Sequence, residues 1–167
     1  RWNYKKIKDR YLQPRVKLIL ATPFYEMKGF SPYISSIIGS VQIFAKYGID
    51  FDYWALSGDS YVDRAKNTLM TKFLEDPDAT HFMMIDSDME WNPDAIVKML
   101  SLPDEIVVGS YPTKNGWSKW TSQPEWQEIE GKKHPIGREI GNGEHLLVSG
   151  FLAGGFMMIK RSALEAF

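Results

Sequence analysis

Residues 81–90, HFMMIDSDME, decide the fold. Four apolar residues, 82–85, run without interruption, a pattern typical of a parallel strand that is buried on both faces. The strand ends at Asp86 and Asp88, two carboxylates that repel each other and lose hydration beside a dry core. A divalent cation would relieve both costs, because hard cations prefer carboxylate oxygens. The sequence therefore predicts that Asp86 and Asp88 hold a metal, which in turn holds a diphosphate.

A simpler hypothesis is that these acids cap and solubilise a loop between a strand and a helix. It accounts for Asp94, because Asn92-Pro93-Asp94 has the pattern of an N-cap, a proline at the first helical position and an acid in the first turn. It accounts poorly for Asp86, which directly follows the apolar run. The metal hypothesis is preferred for that reason.

Composition limits the function classes. The chain has 167 residues, enough for one domain with a sizeable core. Its formal net charge of −1 gives no bulk field that would recruit nucleic acid, and without cysteine it has neither disulfides nor thiolate metal sites. It shows no signal peptide and no apolar run long enough to span a bilayer, so we expect a cytoplasmic protein. Because it starts at Arg1 and stops within an incipient helix, we also expect a trimmed domain of a longer chain.

Strands and helices are predicted to alternate after a basic leader, residues 1–15, which is typical of solvated surface. The predicted order is strand 16–21, helix 32–47, strand 49–56, helix 61–74, strand 80–86, helix 93–102 and strand 105–108. Such alternation predicts an α/β fold with a parallel sheet and right-handed crossovers. Ligands bind at the carboxyl ends of the strands in open sheets of this kind, here first at the loop that starts with Thr22 and Pro23.

The two long helices have predicted buried faces. Apolar residues at helical spacing form one stripe in each helix: Ile34, Ile37, Ile38, Val41 and Phe44 in the first, and Val62, Ala65, Leu69 and Phe73 in the second. In the second helix Arg64 stands in the first turn, where a cation opposes the helix dipole. Arg64 either meets Asp86 or a phosphate, or is an exposed arginine that pairs with Asp63 or with nothing.

Beyond residue 109 the sequence is rich in loops, with short strands predicted at 125–129, 145–151 and 156–159. Trp117 and Trp120 either stack on a sugar or a base or pack over the edge of the sheet. Gly154 and Gly155 either let a bulky ligand approach the backbone closely or mark a sharp bend.

Four motifs occur in order along the chain: Ala21-Thr22-Pro23, the helix motif VDRAKN at 62–67, Asp86-Ser87-Asp88, and GGFMMIKR at 154–161. With them, residues 16–167 resemble the metal-dependent nucleotide-sugar glycosyltransferases of GT-A fold, in the broad family-2-like group. The helix motif of relatives is V-x-R-A-R-N, in which Lys66 replaces the second arginine. The resemblance implies a single catalytic domain, a three-layer α/β/α sandwich with a mostly parallel central sheet. Its nucleotide-binding half would be 16–112, and its donor-sugar and acceptor half, truncated at the C-terminus, 113–167.

The resemblance also implies roles for individual residues. Asp88 would ligate Mn²⁺ or Mg²⁺ directly, and Asp86 would bind the ribose or reach the metal through water. The nucleotide would be bound by Thr22, Pro23, Arg64, Asp86 and Lys114. His145 is a further candidate metal ligand, and the candidates for contact with the donor sugar and acceptor are Ser87, Gly154, Gly155 and Trp117. The catalytic base is expected beyond Phe167.

The implied activity is transfer of a sugar from a nucleotide-diphosphate donor, with a UDP-sugar favoured, to a glycan or another acceptor. The divalent metal would stabilise the leaving diphosphate. One alternative is a non-catalytic module that binds nucleotide sugars or glycans, since the segment that carries the base is expected beyond the chain. Another is a haloacid-dehalogenase-like phosphatase, although its D-x-D motif lies on the first strand and has Thr or Val where this chain has Glu90.

Overall fold

The computed structural model describes residues 16–24, 28–112, 121, 125–136 and 153–166. The basic leader and the strand predicted at 145–151 lie outside these ranges. The elements within them are, in chain order, β1 (Lys17–Phe24), α1 (Ser31–Tyr47), β2 (Asp50–Ser57), α2 (Val62–Glu75), β3 (His81–Ile85), α3 (Ala95–Leu100), β4 (Ile106–Val108), β5 (Glu125–Ile129), β6 (Lys132–Ile136), β7 (Phe156–Lys160) and α4 (Arg161–Glu165).

Five strands form one mixed sheet in the order β2-β1-β3-β7-β4. β1 pairs in parallel with β2 and with β3, whereas β7 is antiparallel to both β3 and β4. The α/β fold predicted from the sequence is confirmed, and the sheet is parallel at its centre. The sequence did not predict that β7 returns between β3 and β4, because an apolar run such as Phe156–Ile159 fits a buried strand in either direction.

Helices cover both faces of this sheet. On one face, Ile19 and Ala21 of β1 belong to a buried cluster with Leu69 and Phe73 of α2. On the other face, the buried hydroxyl of Thr22 lies 2.6 Å from the hydroxyl of Tyr33 in α1. Successive strand residues point to opposite faces, so one strand serves both layers.

The buried face of α1 differs from the predicted one. Tyr33, Ser36, Ser40 and Phe44 are the buried residues, while Ile34 and Ile38 are 52% and 55% exposed. Of the predicted stripe, Phe44 is buried, Ile37 and Val41 are partly buried, and the prediction is wrong for Ile34 and Ile38. In α2 the prediction is confirmed for Ala65, Leu69 and Phe73 and wrong for Val62, which is 52% exposed.

Two predicted boundaries also shift. Strand β1 continues to Phe24, because Thr22 and Pro23 pair with Ala55 and Leu56 of β2 instead of opening the loop. Helix α3 begins at Ala95, after a turn in which Oδ1 of Asn92 accepts a 3.3 Å hydrogen bond from the backbone N–H of Asp94. The Asn92 side chain thus closes a turn that precedes the helix. The predicted N-cap at Asn92 is therefore wrong: Asp94 holds the N-cap position, and Asn92 and Pro93 lie before it.

The chain divides into two units: one holds the five-stranded sheet, up to Val108 and again from Gly154, and the other is Gly109–Ala153. In the second unit, β5 and β6 form an antiparallel hairpin. Its two-residue turn places Glu130 at φ 53° and Gly131 at φ 75°, as a type I′ turn requires. Strand β5 matches the prediction at 125–129. Over the described ranges, no helix combines the length and apolar character needed to cross a membrane.

Candidate functional site

The turn after β3 presents the two predicted carboxylates. The backbone N–H of Met89 donates to the carbonyl of Asp86 at 3.2 Å and closes the turn Asp86–Met89. The backbone N–H of Asp86 donates to the carbonyl of Gly155 at 2.9 Å. Asp86 and Asp88 thus lie at the carboxyl end of the central strand, where ligands bind in open α/β sheets, and the turn is held by the residues that lead into β7.

Lys66 of α2 forms an ion pair with Asp86. Its Nζ lies 2.8 Å from Oδ1 of Asp86, and the two side chains are 20% and 34% exposed. The same ammonium donates to the carbonyl of Gly154 at 3.3 Å. Oδ1 of Asp86 is excluded from solvent and, among the described residues, accepts no hydrogen bond of regular geometry. The ion pair with Lys66 is therefore what compensates for its burial.

Sequence reasoning did not assign a role to Lys66, although a signal was present. Lys66 lies one position after Ala65 and three before Leu69, both of which are buried against the sheet. A residue at this spacing stands at the edge of the buried stripe and can reach over the end of the sheet. Three of the four motifs thus meet through Lys66, Asp86, Gly154 and Gly155.

In the fourth motif, at the end of β1, Thr22 and Pro23 have different surroundings. The side chain of Thr22 is fully buried and shares its hydrogen bond with Tyr33, so the hydroxyl faces α1. Burial raises the pKa of the Tyr33 hydroxyl, which therefore stays neutral in this network. Pro23, in contrast, lines a cleft.

This cleft, of about 280 Å³, lies where β1, β2 and the first turns of α2 come together. Its lining is largely apolar, with one charged group: Pro23, Phe24, Leu56, Asp59, Ser60, Val62 and Ala65. A small apolar cleft with few polar groups is the usual form of a ligand pocket.

Arg64 pairs with Asp59, a partner that was not predicted. Its Nε donates to Oδ2 at 2.8 Å and its NH2 nitrogen to Oδ1 at 2.7 Å. The hydrogen bonds from Arg64, followed by one from the backbone N–H of Tyr61, lower the pKa of Asp59. Arg64 is 65% exposed, as the second alternative predicted, but its partner is Asp59 instead of Asp63. Residues 57–60 read as a turn in the sequence, so nothing there singled out Asp59.

The donors available to a metal are few. Among the described residues, no group of three or more His, Asp or Glu side chains is placed to hold a metal ion. The turn offers two carboxylates, and Asp86 already faces an ammonium. Two carboxylates suit Mg²⁺ or Mn²⁺ when phosphate oxygens and water complete the coordination. The donors of the described residues thus fit a metal that is shared with a diphosphate ligand, and by themselves they do not form a complete metal site.

Gly154 is not required by the backbone or by packing. A Cβ atom at this position would lie 3.9 Å from Nζ of Lys66 and from Cε of Met157, an ordinary contact distance. Its φ is also outside the left-handed region. Glycine at this position thus brings no side chain between Lys66 and Met157, and a larger residue would contact both. Ser87 is partly buried within the turn, and Lys114, Trp117, Trp120 and His145 lie outside the described residues.

Comparisons with known proteins give one structural likeness. No family model matches the chain, and no curated protein matches its sequence. The fold is similar to a solved structure described as the crystal structure of A197 from STIV, with a TM-score of 0.56. The match covers 91% of this chain and 69% of that chain at 19% identity. At this identity the likeness shows a shared α/β fold.

Proposed function

We propose that the protein is a glycosyltransferase of GT-A type that uses a nucleotide-diphosphate sugar and a divalent metal. The observation that carries this proposal is the turn Asp86–Asp88 at the carboxyl end of β3, anchored by Lys66 and Gly155. Consecutive residues of α2 connect this turn to the cleft, because Ala65 lines the cleft while Lys66 contacts Asp86. A nucleotide with its base in the cleft would extend its diphosphate toward the turn.

The cleft suits the base and ribose. Pro23, Phe24 and Leu56 supply an apolar wall for a flat heterocycle, and Asp59 supplies an acceptor for the N–H of uracil or for ribose hydroxyls. Asp59 is fixed in place by Arg64, so Arg64 acts on the nucleotide through Asp59. Thr22 contributes through its position in β1, since its hydroxyl is already bound to Tyr33.

Asp88 and Asp86 would hold Mn²⁺ or Mg²⁺, which when bound neutralises charge on the leaving diphosphate. Asp88 is exposed and suits direct ligation, whereas Asp86, paired with Lys66, suits contact with the ribose or with a water on the metal. Ser87, Gly154 and Gly155 border the place of the donor sugar. The assignments of Lys114, Trp117 and His145 to the diphosphate, the sugar and the metal are part of the same proposal.

Calorimetric titration tests the proposal. The protein is titrated with UDP, GDP and their sugar conjugates, first with Mn²⁺ and then with EDTA. We expect binding of one nucleotide series that requires the metal and that Asp88→Asn weakens about tenfold or more, which corresponds to ~1.4 kcal/mol. Asp78→Asn is the matched control, since Asp78 is an exposed acid before β3, at the other end of that strand. Equal binding by Asp88→Asn and Asp78→Asn would overturn the metal assignment.

Turnover separates a transferase from a binding module. A transferase that lacks its acceptor releases free sugar slowly from the donor, and we expect this hydrolysis to require Mn²⁺ and Asp88. Metal-dependent binding with no release of sugar would favour the binding module. Release of inorganic phosphate from simple phosphate monoesters would favour the phosphatase.

A further inference from the structure

Lys66 carries more hydrogen-bonding capacity than its two contacts use. An ammonium group has three N–H donors. Within the described part of the chain, Nζ of Lys66 contacts Oδ1 of Asp86 at 2.8 Å and the carbonyl of Gly154 at 3.3 Å. These contacts use at most two of the three donors, and the side chain remains 20% exposed, so solvent and ligands can reach it.

Gly154 leaves one side of the ammonium without a covering side chain. A Cβ atom at this position would already lie in contact with Nζ, at 3.9 Å, so any larger side chain would crowd the ammonium. The two acceptors fix the direction of the side chain at the carboxyl end of β3. A lysine held in this way has its positive charge already in place, so ligand binding does not cost the conformational entropy of immobilising a mobile side chain.

Lys66 also restricts how a metal can bind. A cation and the ammonium cannot occupy the same side of Oδ1 of Asp86, and two positive charges at such short distance repel each other. A diphosphate removes this conflict, because its oxygens take up both charges. The arrangement therefore favours a ligand that binds the metal at Asp88 and the ammonium of Lys66 together.

We propose that Lys66 is a diphosphate-binding residue, held in position by Asp86 and the carbonyl of Gly154. It supplies a positive charge to the diphosphate that is independent of the metal. This inference deepens the proposed function, on which it rests for the identity of the ligand. The bare chemical unit that Lys66 recognises is inorganic pyrophosphate, which carries neither base nor sugar.

Pyrophosphate binding tests the inference directly. Wild type, Lys66→Met and Lys66→Arg are titrated with pyrophosphate in EDTA and again with Mn²⁺. We expect Lys66→Met to lose at least about tenfold in affinity under both conditions, and Lys66→Arg to stay within about threefold of wild type, because the charge is kept. The control is Lys72→Met on the same helix, since Lys72 lies over the ring of Trp54, 4.3 Å from its centroid. Equal affinity of wild type and Lys66→Met, or no binding of pyrophosphate by wild type, would overturn the inference.

A second measurement covers the case in which Lys66→Met does not fold. In wild-type protein with ¹³C-labelled lysine, the ε-carbon signal of Lys66 is assigned by its absence in Lys66→Arg. We expect pyrophosphate to shift this signal more than that of Lys72, and no shift would count against the inference.

The two proposals fail in different ways. If UDP-sugars are neither bound nor hydrolysed while pyrophosphate binding still depends on Lys66, the proposed transferase is wrong and the anion site stands. If UDP-sugars bind with Mn²⁺ equally well in wild type and Lys66→Met, the transferase stands and the role of Lys66 is wrong.

Discussion

At the scale of the residue, Arg161 ties α4 to the loop between α2 and β3. Its guanidinium donates to the carbonyl oxygens of Phe73 at 2.9 Å, Ala79 at 2.8 Å and Asp76. These carbonyls lie at or just beyond the C-terminus of α2, where a cation is favoured by the helix dipole. The motif that ends in Arg161 resembles a strand that faces the sugar, but the contacts of this side chain stabilise the fold.

Arg161→Met should lower the free energy of unfolding by about 2–3 kcal/mol, because several carbonyls lose a charged donor at once. Urea denaturation followed by circular dichroism measures the change. Glu165→Gln is the control: it removes the ion pair at 3.0 Å with Arg161 but leaves the carbonyl contacts intact. We expect that variant to lose no more than about 0.5 kcal/mol. Similar losses in both variants would contradict the capping role.

Asp59 gives a second prediction at this scale. Asp59→Asn should weaken uridine and UDP by similar factors, because Asp59 lines the cleft assigned to the base and ribose. Arg64→Ala should behave in the same way, since Arg64 contacts Asp59 and not Asp86. Titration of each variant with both ligands tests this. A much larger loss for UDP than for uridine would place Arg64 on the phosphates instead.

At the scale of the element, α1 shows why hydrophobic periodicity alone missed three of the four fully buried positions. The buried positions 33, 36, 40 and 44 are spaced as regularly as the isoleucine stripe. The serines are buried because they bind Trp91: Oγ of Ser36 accepts from its backbone N–H at 3.1 Å, and Oγ of Ser40 accepts from its indole N–H at 2.9 Å. These contacts are distant in sequence, so hydrophobicity gave no indication of them. They also fix the segment that follows the Asp86–Met89 turn.

Gly39 of α1 packs closely against Pro93, two residues before α3, and this contact predicts the direction in which a substitution changes stability. A Cβ atom on Gly39 would lie 2.6 Å from Cγ of Pro93, too close for any relaxed contact. Gly39→Ala should therefore destabilise the protein, because overpacking costs about 1–3 kcal/mol and outweighs the gain of about 1 kcal/mol in helix propensity. Ser35→Ala, at an exposed position of the same helix, should be neutral or slightly stabilising. Thermal unfolding of both variants gives the answer, and a Gly39→Ala protein more stable than wild type would refute the packing argument.

At the scale of the whole molecule, the sequence predicted features formed by neighbouring residues and missed features formed by residues that are distant in sequence. The buried strand that ends at Asp86 could be predicted because the apolar run and the carboxylates are contiguous. The limits of α1 and α2 were predicted to within about one residue. Lys66 and Asp59 were missed as parts of a site, because their roles depend on how α2 meets the ends of β1, β2 and β3. The position of β7 in the sheet depends on its pairing with β3. The paired residues are far apart in sequence, from 71 positions for Ile85 and Phe156 to 79 for His81 and Lys160, so no local pattern encodes the pairing.

His81, at the start of β3, should make the stability of the molecule depend on pH. Burial, and secondarily the charge of Lys160, lower the pKa of His81 to about 4 from its usual 6.5. Its Nδ1 lies 2.9 Å from the hydroxyl of Thr80. Above pH 6.5 the imidazole is neutral in both the folded and the unfolded chain. As the pH falls from 6.5 toward 4, the unfolded chain takes up the proton and the folded chain does not, so stability is lost over that window.

The loss due to His81 should reach at most ~3 kcal/mol by pH 4, as follows from ~1.4 kcal/mol for each unit of pKa difference. Urea denaturation at intervals between pH 7 and pH 4.5 measures it, and His81→Asn, which keeps a polar partner for Thr80, should remove most of the slope. Asp76 affects stability at lower pH, because the hydrogen bond from Lys17 lowers its pKa in the folded protein. Its contribution to stability is present above about pH 4 and is lost only as the pH falls through the folded pKa. The two groups therefore act in separate windows, and an unchanged slope in His81→Asn above pH 4.5 would show that another group is responsible.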